Sequence, residues 1–171
     1  MKALPQAAVR RLVALRDTTD WALRADNVLL IGPSDVGKSH AAAALALRLI
    51  ERGIRTRWTS AIALAQQRQQ ARQSLDLVGA MSRFDKYRVV VIDGIGYVKK
   101  TDVETQVLFE FIAHRYESGS LIVTSNQAFS QCDQIFPDAL ITVAAIDRII
   151  HHASIIEIDT ESYRREHQKQ K

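Results

Sequence analysis

The sequence predicts an α/β fold, a parallel sheet with helices on both faces built around a phosphate-binding loop. Three observations carry this. A strand-like run, Asn27–Ile31, feeds directly into Gly32-Pro33-Ser34-Asp35-Val36-Gly37-Lys38-Ser39, and an alanine-rich helix pattern follows. Strand and helix patterns then alternate from Asn27 to Ile158, the ordering of consecutive βαβ units. Arg88–Ile92 is an apolar run ending in Asp93, as expected of a strand buried on both sides of a parallel sheet.

The first element fixes the chemistry. G-x-x-x-x-G-K-S between a strand and a helix makes a loop whose backbone N–H groups point inward and cradle nucleotide phosphates. The positive end of the following helix adds to that attraction. The candidate nucleotide-binding residues are therefore Gly32, Pro33, Ser34, Asp35, Val36, Gly37, Lys38 and Ser39, with His40 beside them. Lys38 is placed to reach the β- and γ-phosphates of ATP, and the Ser39 hydroxyl to ligate Mg²⁺.

The later elements follow in order. Arg55–Thr59 reads as a short strand, and Ser60 opens a helix running into Gln66-Gln67-Arg68-Gln69-Gln70, a solvated face. A helical or loop segment carries Leu75, Leu77, Val78 and Met81. Asp93, at the end of the buried run, suits the aspartate that helps hold Mg²⁺ beside Ser39; its other reading is a cap on the turn before Gly94 and Gly96. Thr101 and Glu104 form a capping box, and Val103, Val107, Phe111 and Ile112 repeat at helical spacing. Ser120–Val123 is a further buried strand leading to Thr124-Ser125-Asn126. Asp138 opens a helix through Ile150, and Ala153–Ile158 is the last strand. Ligands of such sheets sit at the carboxyl ends of the strands, where the loop, Asp93 and Asn126 all fall.

Composition narrows the setting. The chain has 171 residues, the size of one domain with one core. It divides into a short N-terminal segment at 1–25 that packs as a helix on the domain, an ATP-binding domain at 26–160 and a polar tail at 161–171. No apolar run is long enough to span a bilayer. A lone cysteine, Cys132, makes no internal disulfide, and a cytoplasmic location is the default. The net charge of +4 favours an anionic partner, and nucleic acid is the commonest. Arg55, Arg57, Arg68, Arg72, Arg83 and Arg88 are candidate phosphate contacts. His151 and His152 lack a nearby cysteine or third histidine in the sequence and read as structural or solvated rather than as metal ligands.

The phosphate loop, Val90-Val91-Ile92-Asp93 with Ile95-Gly96-Tyr97, His114-Arg115-Tyr116-Glu117, Thr124-Ser125-Asn126, Asp147-Arg148-Ile149-Ile150-His151-His152-Ala153 and Ser162-Tyr163-Arg164 occur in a set order. Together they resemble the IstB-like ATPases, AAA+ helper proteins of DNA transposition close to the DnaC-type helicase loaders. The resemblance implies a three-layer P-loop NTPase with a mostly parallel five-stranded sheet. It implies a homo-oligomer that assembles on duplex DNA with ATP and Mg²⁺, without sequence preference, and cooperates with a transposase or helicase partner; no membrane is involved. It places Asn126 as the polar residue that senses the γ-phosphate and Arg148 as the arginine presented to a neighbouring subunit's nucleotide. Each also has a plainer reading, a turn residue for Asn126 and a surface ion pair with Asp147 for Arg148. Arg115 and Arg164 hold family positions without an assigned role.

The chain departs from the family pattern at four places. Gly94 stands where a catalytic glutamate is usual, Asp35 where the loop often has a further glycine and Cys132 where tryptophan is common; little sequence precedes the loop. A missing general base costs about 10²–10⁴ in rate, so ATP binding with weak hydrolysis is expected. The alternatives are a hydrolysis-deficient nucleotide-binding module and a DnaC-like helicase loader acting in replication. A phosphate-loop kinase of small molecules fits poorly, because no acceptor-binding segment or lid is evident.

Overall fold

The computed structural model describes residues 4–95, 102–126 and 147–158. Five strands, β1 (Asn27–Ile31), β2 (Thr56–Ser60), β3 (Val89–Asp93), β4 (Ser120–Ser125) and β5 (Ala153–Glu157), form one sheet in the order β2-β3-β4-β1-β5. Every pairing is parallel. The helices packed with them are α1 (Gln6–Asp17), α2 (Asp20–Leu23), α3 (Lys38–Glu51), α4 (Ala61–Gln73), α5 (Leu77–Asp85) and α6 (Asp102–Arg115).

Strand alternation sorts the apolar runs into two layers. Val28, Leu30, Val89, Val91 and Ile122 face one side, where Ala42, Leu45 and Leu49 of α3 meet Ala8, Trp21 and Ala22 of the N-terminal helices. Leu29, Ile31, Val90, Ile92, Leu121 and Val123 face the other, against Leu64, Phe84, Leu108, Phe111 and Ile112 from α4, α5 and α6. Each valine, leucine, isoleucine or phenylalanine among them, withdrawn from water, contributes about 1.5–3 kcal/mol. β1, β3 and β4 are buried on both faces because helices cover both. β2, at an edge, exposes Arg57 and Trp58. Residues 6–23 supply part of one core layer, so this segment packs on the sheet as the sequence suggests.

The predicted elements match closely, with instructive exceptions. Ser60 caps α4, its Oγ accepting the Ala63 N–H at 3.1 Å. The glutamines at 66, 67, 69 and 70 are exposed as expected, but Arg68 among them is wholly buried. Helical spacing explains it: Leu64, Arg68 and Ala71 share the inward face of α4. The Arg68 guanidinium lies over the Phe111 ring, 5.8 Å from its centre, with the Glu110 carboxylate 3.9 Å away. Residues 147–150 are helical. The Thr101–Glu104 capping box, the start of the Asp138 helix, Cys132, Arg164 and the 161–171 tail lie outside the described residues or side chains.

At the amino ends of the strands, Asn27 bridges three segments. Its Nδ2 donates to the Ile149 carbonyl and its Oδ1 accepts the Leu121 N–H, both at 2.9 Å and both buried. Arg115, also buried, donates to the Tyr87 and Arg88 carbonyls at 2.9 Å, with the Phe84 carbonyl nearby. That gives this arginine a structural role, closing the end of α5. Asn27→Ala strands the Leu121 amide and the Ile149 carbonyl without partners. It is expected to lower unfolding free energy by about 2–4 kcal/mol, read as a lower urea midpoint with an unchanged slope.

Candidate functional site

β1 delivers the chain to the carboxyl edge of the sheet, and residues 32–37 cross that edge before α3 begins at Lys38. The entry is anchored on both sides: the Gly32 amide donates to the Ser125 carbonyl at 3.1 Å, and the Ile158 amide donates to the Ile31 carbonyl at 2.7 Å. A Cβ on Gly32 would lie 2.2 Å from the Ile158 carbonyl oxygen, so close approach of the chain after β5 requires glycine here. Val36 turns inward into the core, whereas Pro33 and His40 are exposed. Asp35 has φ 66°, the left-handed region. Its departure from glycine therefore has a conformational cost, which a short carboxylate side chain tolerates better than most.

Lys38 is 3% exposed, and its ammonium donates to the Pro33 carbonyl at 2.5 Å. Burial pushes its pKa below the ordinary lysine value, and the carboxylates of Asp35 and then Asp93 counteract this. A cation held away from water at a helix N-terminus suits phosphate. Ser39 Oγ donates to Asp93 Oδ1 at 2.8 Å, bringing the two predicted Mg²⁺-binding residues together although 54 positions separate them. Oxygen donors of this kind suit Mg²⁺, so the residues present fit both ATP and its metal.

Between β1 and β3 runs β4, and it contributes two further groups. The Thr124 hydroxyl donates to Asp93 Oδ1 at 2.6 Å and accepts the Gly94 N–H at 2.8 Å. Nothing in the sequence marks this threonine beyond its place beside Asn126; only strand order puts it next to Asp93. Asn126 follows on the same edge, and its Oδ1 is buried without a hydrogen-bond partner among the described residues. Gly94 has φ 81°, a backbone that disfavours any side chain at this position.

Arg148 is not part of this cluster. It precedes β5, whose Ala153 pairs with Asn27 at the amino end of β1, whereas the phosphate loop leaves the carboxyl end of β1 roughly 13 Å of strand away. Its guanidinium stands 5.4 Å from the centre of the Phe109 ring. It borders a hollow of about 200 Å³ shared with Arg24, Tyr116 and His152. Tyr116 Oη lies 3.1 Å from His151 Nδ1, and the His151 and His152 rings pack edge to face at 4.3 Å. No group of three metal-capable side chains occurs among the described residues.

The proposed arginine surface is smaller than the sequence suggests. Arg68 is inside the core. Arg88 donates to the Ala22 carbonyl at 2.9 Å and the Ser118 carbonyl at 3.0 Å, and also to that of Leu23. Arg72 pairs with Glu110 at 2.5 Å, and Arg83 with Asp76 at 3.2 Å. Arg55 and Arg57 remain exposed, with Arg57 5.9 Å and 5.8 Å from the Phe84 and Tyr87 ring centres. No helix among the described residues is long and apolar enough to cross a membrane.

Two outcomes are expected from this geometry. Lys38→Met removes the ammonium placed to meet the phosphates and should abolish the rise in melting temperature that ATP gives. Gly94→Glu forces a side chain into the left-handed region and should destabilise by about 1–2 kcal/mol, measured by chemical denaturation.

Comparison with known proteins places the chain. A family model described as IstB-like ATP binding protein matches residues 2–171. An insertion sequence ATP-binding protein of Sinorhizobium fredii is 43% identical over 163 residues, covering 95% of this chain and 55% of the relative. One from Geobacillus stearothermophilus is 35% identical over 162 residues, covering 95% and 64%. The chain thus spans less than two thirds of either relative. Among solved structures, the DnaC helicase loader superposes with a TM-score of 0.70 at 16% identity, covering 91% of this chain and 93% of that one. The replication initiator DnaA, bound to AMPPCP and single-stranded DNA, gives 0.73 at 15% identity over 94% and 48%. These likenesses show a shared α/β fold. The family model over residues 2–171, with relatives 43% and 35% identical over 95% of the chain, establishes that this chain belongs to the IstB-like ATP-binding family.

Proposed function

We propose that the chain is the ATP-binding core of a DNA transposition helper, which assembles on duplex DNA as an ATP-dependent homo-oligomer and engages a transposase. The observation that carries the reading is the Ser39–Asp93 contact at 2.8 Å beside a buried Lys38, in a chain whose relatives belong to insertion sequences.

Bound Mg²⁺-ATP supplies a phosphoanhydride whose charge and cleavage can be coupled to assembly. Lys38 and the loop amides offset phosphate charge, and Ser39 and Asp93 hold the metal. Asn126 Oδ1, without a hydrogen-bond partner among the described residues, is available to accept a hydrogen bond from water near the γ-phosphate. Arg148, at the far pole of its own sheet, serves a neighbouring subunit's nucleotide, where a guanidinium stabilises charge developing on the phosphoryl group. No carboxylate follows Asp93, so proton removal from water goes unassisted at Gly94 and turnover is slow. Arg55 and Arg57, exposed at the β2 edge, are the DNA phosphate contacts retained from the larger set.

The DnaC likeness, which covers nearly the whole of both chains, favours a second reading, a loader acting on a replicative helicase. The two readings share nucleotide-driven assembly and differ in the protein captured.

The test measures ATP binding and hydrolysis together, with Mg²⁺, with and without duplex DNA. The expected result is tight binding, slow turnover and a larger particle when ATP and DNA are both present. DNA affinity should fall steeply with salt and show little sequence preference; an affinity indifferent to salt removes the DNA assignment. Arg148→Ala should keep nucleotide affinity while lowering turnover by about 10³-fold or more. A loss of binding instead would contradict its assignment to the neighbour's site.

A further inference from the structure

We propose that Thr124 is a positioning residue for the metal, acting through Asp93. The inference rests on the nucleotide reading above and deepens it. Three contacts converge on this one residue. Its hydroxyl donates to Asp93 Oδ1 at 2.6 Å. The same hydroxyl accepts the Gly94 N–H at 2.8 Å. Its carbonyl accepts the Ile95 N–H at 3.0 Å.

Together these bonds hold the chain where it leaves β3. A hydroxyl has one proton and two lone pairs, so donating to Asp93 while accepting from Gly94 fixes the rotor in one orientation. Ser39 donates to the same Oδ1, and two hydroxyls on one oxygen set the plane of the carboxylate. Thr124 itself is 0% exposed, which limits the access of water that could substitute for its hydroxyl. The consequence is preorganisation: the Ser39–Asp93 pair stands ready before nucleotide arrives, and the ordering cost is met in folding rather than in binding. Thr124 touches neither phosphate nor metal in this scheme, and its effect appears only where Asp93 matters.

The experiment compares Thr124→Val, which keeps shape and removes the hydroxyl, with Thr124→Ser, which keeps the hydroxyl. Affinity for a fluorescent ATP analogue is titrated in EDTA and in excess Mg²⁺, alongside thermal unfolding of each variant. The expected result is that Thr124→Val loses about tenfold of the affinity gained from Mg²⁺ with EDTA affinity close to that of the parent, and that Thr124→Ser restores the gain. An unchanged Mg²⁺ gain in a folded Thr124→Val would falsify the proposal. Equal losses in EDTA and Mg²⁺, or a Thr124→Ser variant that folds but does not recover the gain, would assign Thr124 to packing alone. If Thr124→Val does not fold, the Thr124→Ser comparison decides. A parent protein that binds no nucleotide, or gains nothing from Mg²⁺, removes the underlying reading instead, an outcome visible before any variant is made.

Discussion

The Asp93 carboxylate is the point on which the site depends, because it ties together three parts of the chain that sequence keeps apart. Ser39 reaches it from the start of α3 and Thr124 from the end of β4. The contact exists only because β1, β4 and β3 end at one edge of the sheet with β4 in the middle. A slip of one residue in β3 would turn its side chains to the opposite face and take Asp93 away from both hydroxyls. The alternation that sorts Val90 and Ile92 into one core layer and Val89 and Val91 into the other holds this register, so hydrophobic packing sets the position of a polar group.

The same edge carries groups that cost the fold stability. Lys38 is withdrawn from water, Asp35 occupies a left-handed backbone and Asn126 Oδ1 is buried without a partner among the described residues. Local irregularity of this kind is costly and persists when the surroundings over-determine it. Here the surroundings are a sheet buried on both faces and the bridges made by Asn27 and Arg115 at its other end. The molecule separates the tasks by pole: the amino ends of the strands are closed by the hydrogen bonds of Asn27 and Arg115, while the carboxyl ends hold groups suited to a ligand.

Charge counted from sequence overstates the surface available to an anionic partner. Arg68, Arg88 and Arg115 are used inside the fold, on an aromatic ring or on backbone carbonyls. Arg72 and Arg83 are matched by Glu110 and Asp76. A guanidinium has five donors in a fixed fork, which lets it close several carbonyls at once, and this chain uses that property structurally as much as electrostatically. The net charge of +4 therefore describes long-range attraction better than it identifies contacts.

The sequence by itself determined the alternating α/β architecture, the phosphate loop, the strand ending in Asp93 and the family order of motifs. These rest on local facts: apolar period, glycine spacing and the residues flanking each turn. The glycine that follows Asp93 was also legible at once, since it is a matter of identity at one position. Only the tertiary structure decided that Thr124 reaches Asp93, that Arg68 faces inward on a glutamine-rich helix, that Arg115 closes α5, and that Asn126 and Arg148 lie at opposite poles of the sheet. Each depends on strand order or helix rotation, which bring distant residues together through packing of the whole domain and leave no pattern in the neighbouring sequence.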